Sequence, residues 1–211
     1  MIFRDRRQAG ARLAGALSGF AGPDTIVLAL PRGGVPVAAE VARALGAPLD
    51  LVMVRKIGAP GHEEYAIGAV VDGADPQVVL DEDAARLAGA DTAYVERAKA
   101  QALAEIERRR AAYRGGRAPA SVAGKTAIVV DDGIATGATA KAAVRALRKA
   151  GAARTILAVP IAPVETVEAL REEADEVVAL SMPYPFHAVG LYYDDFSQTS
   201  DEEVVAALRD A

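Results

Sequence analysis

Residues Ala127–Ala140 read AIVVDDGIATGATA, and the order of their chemistries decides the fold. Four apolar residues lead into the paired carboxylates Asp131 and Asp132. A small-residue loop rich in Thr and Gly follows, and then a helical pattern begins. A short run of strand formers that ends in such a loop and a helix is the βα unit of a parallel sheet. Its loop lies at the carboxyl edge of the sheet, where α/β proteins take their ligands. Gly137 and the small Ala135 and Ala138 let backbone N–H groups approach an anion closely. Thr136 and Thr139 add hydroxyl donors, and the helix N-terminus adds about half a positive charge. Asp131 and Asp132, one step earlier, suit two vicinal hydroxyls. The ligand implied is a sugar phosphate with a free diol.

Outward from this stretch the same alternation recurs. Upstream, Thr25–Leu30 is an apolar run, Pro31-Arg32-Gly33-Gly34 a turn, Val35–Leu45 a helix closed by Gly46, and Leu49–Val54 a second strand. Downstream, Ala140–Ala150, Thr155–Pro160, Val164–Glu173 and Glu176–Leu180 continue helix, strand, helix and strand, and Glu202–Arg209 is a final helix. The predicted fold class is α/β, a Rossmann-like central parallel sheet flanked by helices. Residues 55–64 read as a polar loop, and 66–71 and 78–80 as a hairpin across 72–76. Residues 83–113 read as a helical lobe with Asp91 as N-cap and Gly115 as C-cap. The length of 211 residues suits one domain, with 83–113 as an inserted lobe and 181–211 as a C-terminal tail.

Composition narrows the chemistry. There is no Cys, so disulfides, thiolate metal sites and cysteine nucleophiles are excluded, and the two His cannot alone build a metal site. A net charge of −5 argues against nonspecific wrapping of a nucleic acid. No apolar run approaches the ~20 residues that span a bilayer. Charges stand where the apolar core of a signal peptide would be, so the expected location is cytoplasmic. The spacings of a Walker A loop and of a dinucleotide-binding G-x-G-x-x-G loop are absent.

The stretch IVVDDGIATGAT resembles the binding motif for phosphoribosyl pyrophosphate (PRPP) of type I phosphoribosyltransferases: an apolar strand, two acidic residues, two variable positions, then a Thr/Gly-rich loop. Gly133 stands where that family more often has a bulky aliphatic residue, and Ala135 where it often has Thr. The resemblance implies that Ala135, Thr136, Gly137, Ala138 and Thr139 hold the 5′-phosphate. It implies that Asp131 and Asp132 grip the ribose diol as catalytic residues and face Mg²⁺, through water. Arg32, Gly33 and Gly34 resemble the family's pyrophosphate loop, which often holds a non-proline cis peptide. Arg55 and Lys56 match the basic residues that contact pyrophosphate. Residues 58–65, with His62, Glu63 and Glu64, resemble its closing lid, although a lone loop His is more often merely solvated.

Five of the ten Phe and Tyr residues fall between Tyr184 and Phe196. The family resemblance implies a base-binding hood here, with Tyr184, Phe186 and His187 as its candidates. Packing of the tail onto the sheet is the competing reading. The basic run Arg108-Arg109-Arg110, with Arg114 and Arg117, reads as a solvated helix end. The resemblance implies a Mg²⁺-dependent transfer of 5-phosphoribose from PRPP to a nitrogen nucleophile, a nucleobase above all, with release of pyrophosphate. It implies no nucleic-acid or membrane partner, and family members are frequently homodimers. A non-catalytic regulator that binds PRPP or a nucleotide on the same fold is the alternative.

Overall fold

The computed structural model describes residues 2–73, 76–115 and 117–210. Five parallel strands form the central sheet: β1 (Thr25–Ala29), β2 (Leu49–Leu51), β6 (Thr126–Val130), β7 (Arg154–Ile161) and β8 (Glu176–Ser181). Their spatial order is β2-β1-β6-β7-β8. Strands β1 and β6 are buried along almost their whole length, as strands covered by helices on both faces must be. The period of two divides their side chains between two cores. Val27, Ala29, Ile128, Val130, Ile156 and Ala158 face α1 (Arg6–Ala16) and α2 (Gly34–Leu45). Ile26, Leu28, Ala127, Val129, Leu157 and Val159 face α5 (Ala138–Lys149) and α6 (Val164–Arg171). Register pairs Ala29 with Val130 and Val130 with Ala158, so the loops after β1, β6 and β7 leave from one edge.

The polar loop expected over residues 55–64 is instead a hairpin. Strand β3 (Val54–Ala59) pairs antiparallel with β4 (His62–Val71), and β5 (Gln77–Leu80) adds a third strand. The polar composition misled because charges are interleaved with the buried positions: Ile57 and Ala59 are buried while Arg55 and Lys56 are exposed. Gly61, at φ 73°, makes the tight turn between the strands. The hairpin expected across 72–76 is present as β4 and β5, though Ala74 and Asp75 of its turn lie outside the described residues. So do the side chains of Glu63 and Glu64.

The helical stretch expected over 83–113 is two helices, the second starting at the expected N-cap Asp91. Asp81 caps α3 (Glu82–Leu87), Gly89 breaks the chain in a left-handed conformation, and Asp91 caps α4 (Thr92–Arg114). Gly115 ends α4 as expected. After β8 the tail crosses back over the sheet edge. Phe3 and Tyr193 form a parallel bridge, and α7 (Asp201–Arg209), opened by a capping box of Ser200 and Glu203, buries Val204 and Leu208.

Candidate functional site

Asp131 and Asp132 leave the carboxyl end of β6, where burial and mutual repulsion govern their charge. Burial, then the neighbouring Asp132 carboxylate, push Asp131 well above the usual carboxylate range. Burial also raises Asp132, but the Arg6 guanidinium opposes the shift. The Asp131 carboxylate accepts from the Asp132 N–H at 2.9 Å.

The loop that follows is an open donor array. Gly137 takes φ 76° as the N-cap of α5, a conformation a Cβ disfavours, and makes no side-chain cap hydrogen bond. Among the described residues, the N–H groups of Thr136, Gly137, Ala138 and Thr139 donate to no protein acceptor. Thr136 and Ala138 are exposed. Two contacts brace the array from behind: the Thr166 hydroxyl donates to the Ala135 carbonyl at 2.7 Å, and the Ile134 N–H to the Ile161 carbonyl at 2.9 Å. Thr166 carries no signal in sequence that would have found it. Gly133 has its reason here. A Cβ on it would come within 2.4 Å of Val189 Cγ1, so the tail supplies the aliphatic group at this place.

The Gly33-Gly34 turn presses directly on the acidic pair. A Cβ on Gly33 would lie 2.2 Å from Asp132 Oδ2, and one on Gly34 2.6 Å from the Val130 carbonyl oxygen. Real Cβ atoms do not approach so closely, so only glycine lets this loop meet β6. The Pro31–Arg32 peptide is cis, at the position expected. Arg32 reaches away from the acidic pair, with Nη1 3.4 Å from Asp201 Oδ1.

Arg55 and Lys56 are adjacent in β3 and so project from opposite faces. Lys56 shares a groove of about 530 Å³ with Ala138, Lys141 and Arg145, beside the donor array; Arg55 does not line it. The aromatic cluster also divides. Tyr193 is buried against Phe3 and Phe196, at centroid distances of 5.5 and 5.1 Å. Phe186 stacks on Tyr192 at 5.7 Å in the half-buried tail, while Tyr184 and His187 are exposed.

Sequence reasoning missed the residue that touches Asp132. Arg6, at the start of α1, places Nε 2.7 Å from Asp132 Oδ2, with both side chains nearly enclosed at 11% and 12% exposure. Its Nη1 donates to the Ser197 carbonyl at 2.7 Å, and its guanidinium lies 4.0 Å above the Phe196 ring. The Tyr193 hydroxyl donates to the Asp132 carbonyl at 2.5 Å. Burial and the nearby Asp132 charge push this phenol far up, so it remains a donor.

The basic run corrects a second expectation. Arg108 is solvated and paired with Glu105. Arg114, by contrast, is buried, and bridges Asp50 at 2.8 Å and Asp72 at 2.9 Å while donating to the Leu51 carbonyl at 2.6 Å. Arg110 also pairs with Asp72. Helix periodicity turns these two side chains inward, toward carboxylates in β2 and just after β4 that need a cation.

Among the described residues no three His, Cys, Asp or Glu stand together as a metal cluster. For Mg²⁺ the site offers Asp131 and Asp132, all oxygen. That set fits a cation that uses one or two carboxylates and completes its shell with water and substrate oxygens. The crowding that raises Asp131 would also be relieved by a nearby cation.

An acidic pair and a loop of unpaired N–H donors stand together at the carboxyl edge of a parallel sheet, the place where α/β proteins take their ligands. The sequence matches the phosphoribosyl transferase domain family over residues 5–195, and the chain belongs to that family. Two curated Mycobacterium tuberculosis proteins, of strains CDC 1551 and H37Rv, are each named provisionally as a phosphoribosyl transferase. They are 48% identical over 207 residues, which is 98% of this chain and 46% of theirs. The chain thus spans about half the length of the curated relatives it matches. The crystal structure of TT1426 from Thermus thermophilus is 48% identical, with a TM-score of 0.88 over 100% of this chain and 99% of that one. Among the described residues no helix is long and apolar enough to cross a membrane.

Proposed function

We propose that the protein transfers 5-phosphoribose from PRPP to a nitrogen acceptor, a nucleobase above all, with release of pyrophosphate. The observation that carries this reading is the free donor array at 136–139, set one step beyond the buried acidic pair. On this reading residues 1–211 act as one domain with 181–211 as its hood. The array and the N-terminus of α5 bind the 5′-phosphate. Asp131 and Asp132 accept from the ribose hydroxyls and set negative charge beside the positive charge that develops at the ribose carbon. That transition state is oxocarbenium-like, as in glycoside chemistry, and needs no protein nucleophile. Gly33 and Gly34 admit the pyrophosphate close to the backbone, and Lys56 supplies cationic charge. Mg²⁺ held near Asp131 and Asp132 would neutralise charge on the leaving pyrophosphate. Catalysis then rests on positioning and preorganised electrostatics.

The test is calorimetry with PRPP and Mg²⁺, followed by a pyrophosphate-release assay over a panel of nucleobases. The expected result is binding in every case and release with one base. Asp131→Asn combined with Asp132→Asn should remove most turnover and leave the fold intact by circular dichroism. A double variant with full turnover refutes the assignment. Binding without release for any base supports the regulator reading instead.

A further inference from the structure

Among the described residues Asp132 has an ion-pair partner, Arg6, and Asp131 has none. Asp132 is fixed from several sides. Arg6 Nε holds its Oδ2 at 2.7 Å, and the Gly33 backbone closes over the same oxygen, since a Cβ there would stand 2.2 Å from it. The Tyr193 hydroxyl holds the Asp132 carbonyl at 2.5 Å, and the Asp132 N–H donates to Asp131 Oδ1 at 2.9 Å. Of the two carboxylate oxygens of Asp132, Oδ1 alone accepts from no N–H group of the described residues. Both holders, Arg6 and Tyr193, belong to segments that pair with each other. The Phe3 N–H donates to the Tyr192 carbonyl at 2.8 Å, and the Asp194 and Asp195 N–H groups donate back to the Phe3 and Arg4 carbonyls at 2.8 and 2.9 Å. Arg6 is itself tied to the tail by the Ser197 carbonyl and the Phe196 ring. A planar guanidinium gripped at both ends leaves Asp132 little freedom to turn.

We propose that Arg6 is a positioning residue for the sugar: it fixes Asp132 so that Oδ1 receives a hydroxyl of a phosphorylated pentose, and it makes that contact depend on the tail at 193–197. This role rests on the reading of the acidic pair as the holder of the ribose diol. It goes further, because selectivity for the diol then lies in a residue that touches no substrate atom. A carboxylate oriented before binding gives the hydroxyl its full charge-assisted bond, whereas one free to rotate loses part of it in ordering. None of the Arg6 bonds reaches the donor array at 136–139, so phosphate binding there is independent of it.

Two probes separate the parts of the site. Ribose 5-phosphate carries the phosphate and the diol, and methyl phosphate carries the phosphate alone. Each is titrated without Mg²⁺ into the whole chain, well below the unfolding midpoint, and followed by the amide shifts of 136–139. Wild type should bind ribose 5-phosphate more tightly. Arg6→Met should weaken ribose 5-phosphate about tenfold, the size of one lost charge-assisted bond, and leave methyl phosphate within about twofold. Arg6→Lys should recover part of the loss. Phe196→Leu keeps Arg6 and Asp132 but removes the ring beside the guanidinium, and it should give a smaller loss of the same selective kind; it decides the matter if the Arg6 variants do not fold. An equal loss for both probes is what a merely structural residue would give, and it overturns the proposal. Preference for ribose 5-phosphate that survives in these variants overturns it too and leaves the proposed function standing. Wild type that binds neither probe, or both equally, overturns the proposal together with the reading on which it rests.

Discussion

Removal of Arg6 tests how the second acidic residue is held. Arg6→Ala deletes an ion pair of 2.7 Å whose side chains are 11% and 12% exposed, a hydrogen bond to Ser197 and a ring contact with Phe196. Breaking one side of a buried pair costs about 3–5 kcal/mol. Asp132 lies under a burial penalty that Arg6 offsets, so the orphaned carboxyl escapes part of the cost by taking a proton. The expected loss is therefore at the lower end, about 3 kcal/mol at neutral pH. In a domain of this size 1 kcal/mol moves the midpoint by about 2–4 °C, so Tm should fall by about 6–12 °C. The sign with pH follows from the same group. A carboxyl whose folded pKa is raised costs stability as pH climbs above its unfolded value, near 3.9. Loss of Arg6 raises that folded pKa further, so the gap between wild type and variant should widen from pH 4 upward. The assay is thermal unfolding across pH, run as a double-mutant cycle with Asp132→Asn. In the Asn background the cost should be smaller by at least about 1 kcal/mol, because only the charge–charge part is gone while the Ser197 bond and the Phe196 contact are lost in both backgrounds. A drop under about 2 °C, or an equal drop in both backgrounds, would show that Arg6 acts on the tail and not on Asp132.

Three further outcomes follow from other parts of the fold. Gly34→Ala drives a Cβ to 2.6 Å from the Val130 carbonyl and 2.9 Å from Asp131 Cα, so the turn must lift off β6. Overpacking of this kind costs about 1–3 kcal/mol, and calorimetry should find PRPP affinity lost in a protein that still unfolds cooperatively. Arg114→Leu takes the cation from Asp50 and leaves Asp72 with Arg110 alone, and should lower stability by about 3 kcal/mol in urea titrations; wild-type stability would mean those carboxylates are held by other partners. Glu173, hydrogen-bonded by Arg145 and then Lys141, titrates at about 2, below its ordinary 4.5. A depressed carboxyl stabilises the fold above its unfolded pKa and loses that contribution as pH falls from about 4.5 toward 2. Glu173→Gln should flatten this part of the stability profile, and an unchanged slope would assign it to other groups.

Much of this protein is legible in sequence because its information is local. Apolar runs of five or six residues that end in polar turns specify parallel strands covered on both faces. Asp91 and Gly115 mark the two ends of a long helix by cap chemistry alone. Gly137 and its small neighbours announce a loop with open N–H donors before any coordinate is known. Where the signal is a face and not a spacing, the reading fails. The β3–β4 hairpin looks like a loop because exposed charges interrupt its few buried positions. Arg55 and Lys56 look equivalent until the strand sends them to opposite faces.

The chain's own order of residues determined the parallel sheet, the acidic pair at its edge and the loop of open N–H donors, since each is set by neighbours a few positions apart. Only the tertiary structure decided which charges meet. Arg6 lies 126 positions from Asp132, and Arg114 lies 64 and 42 from its two carboxylates. Nothing in local spacing encodes such pairs. They form because helices covering the sheet bring distant side chains into low-dielectric places where a lone charge is too costly to keep.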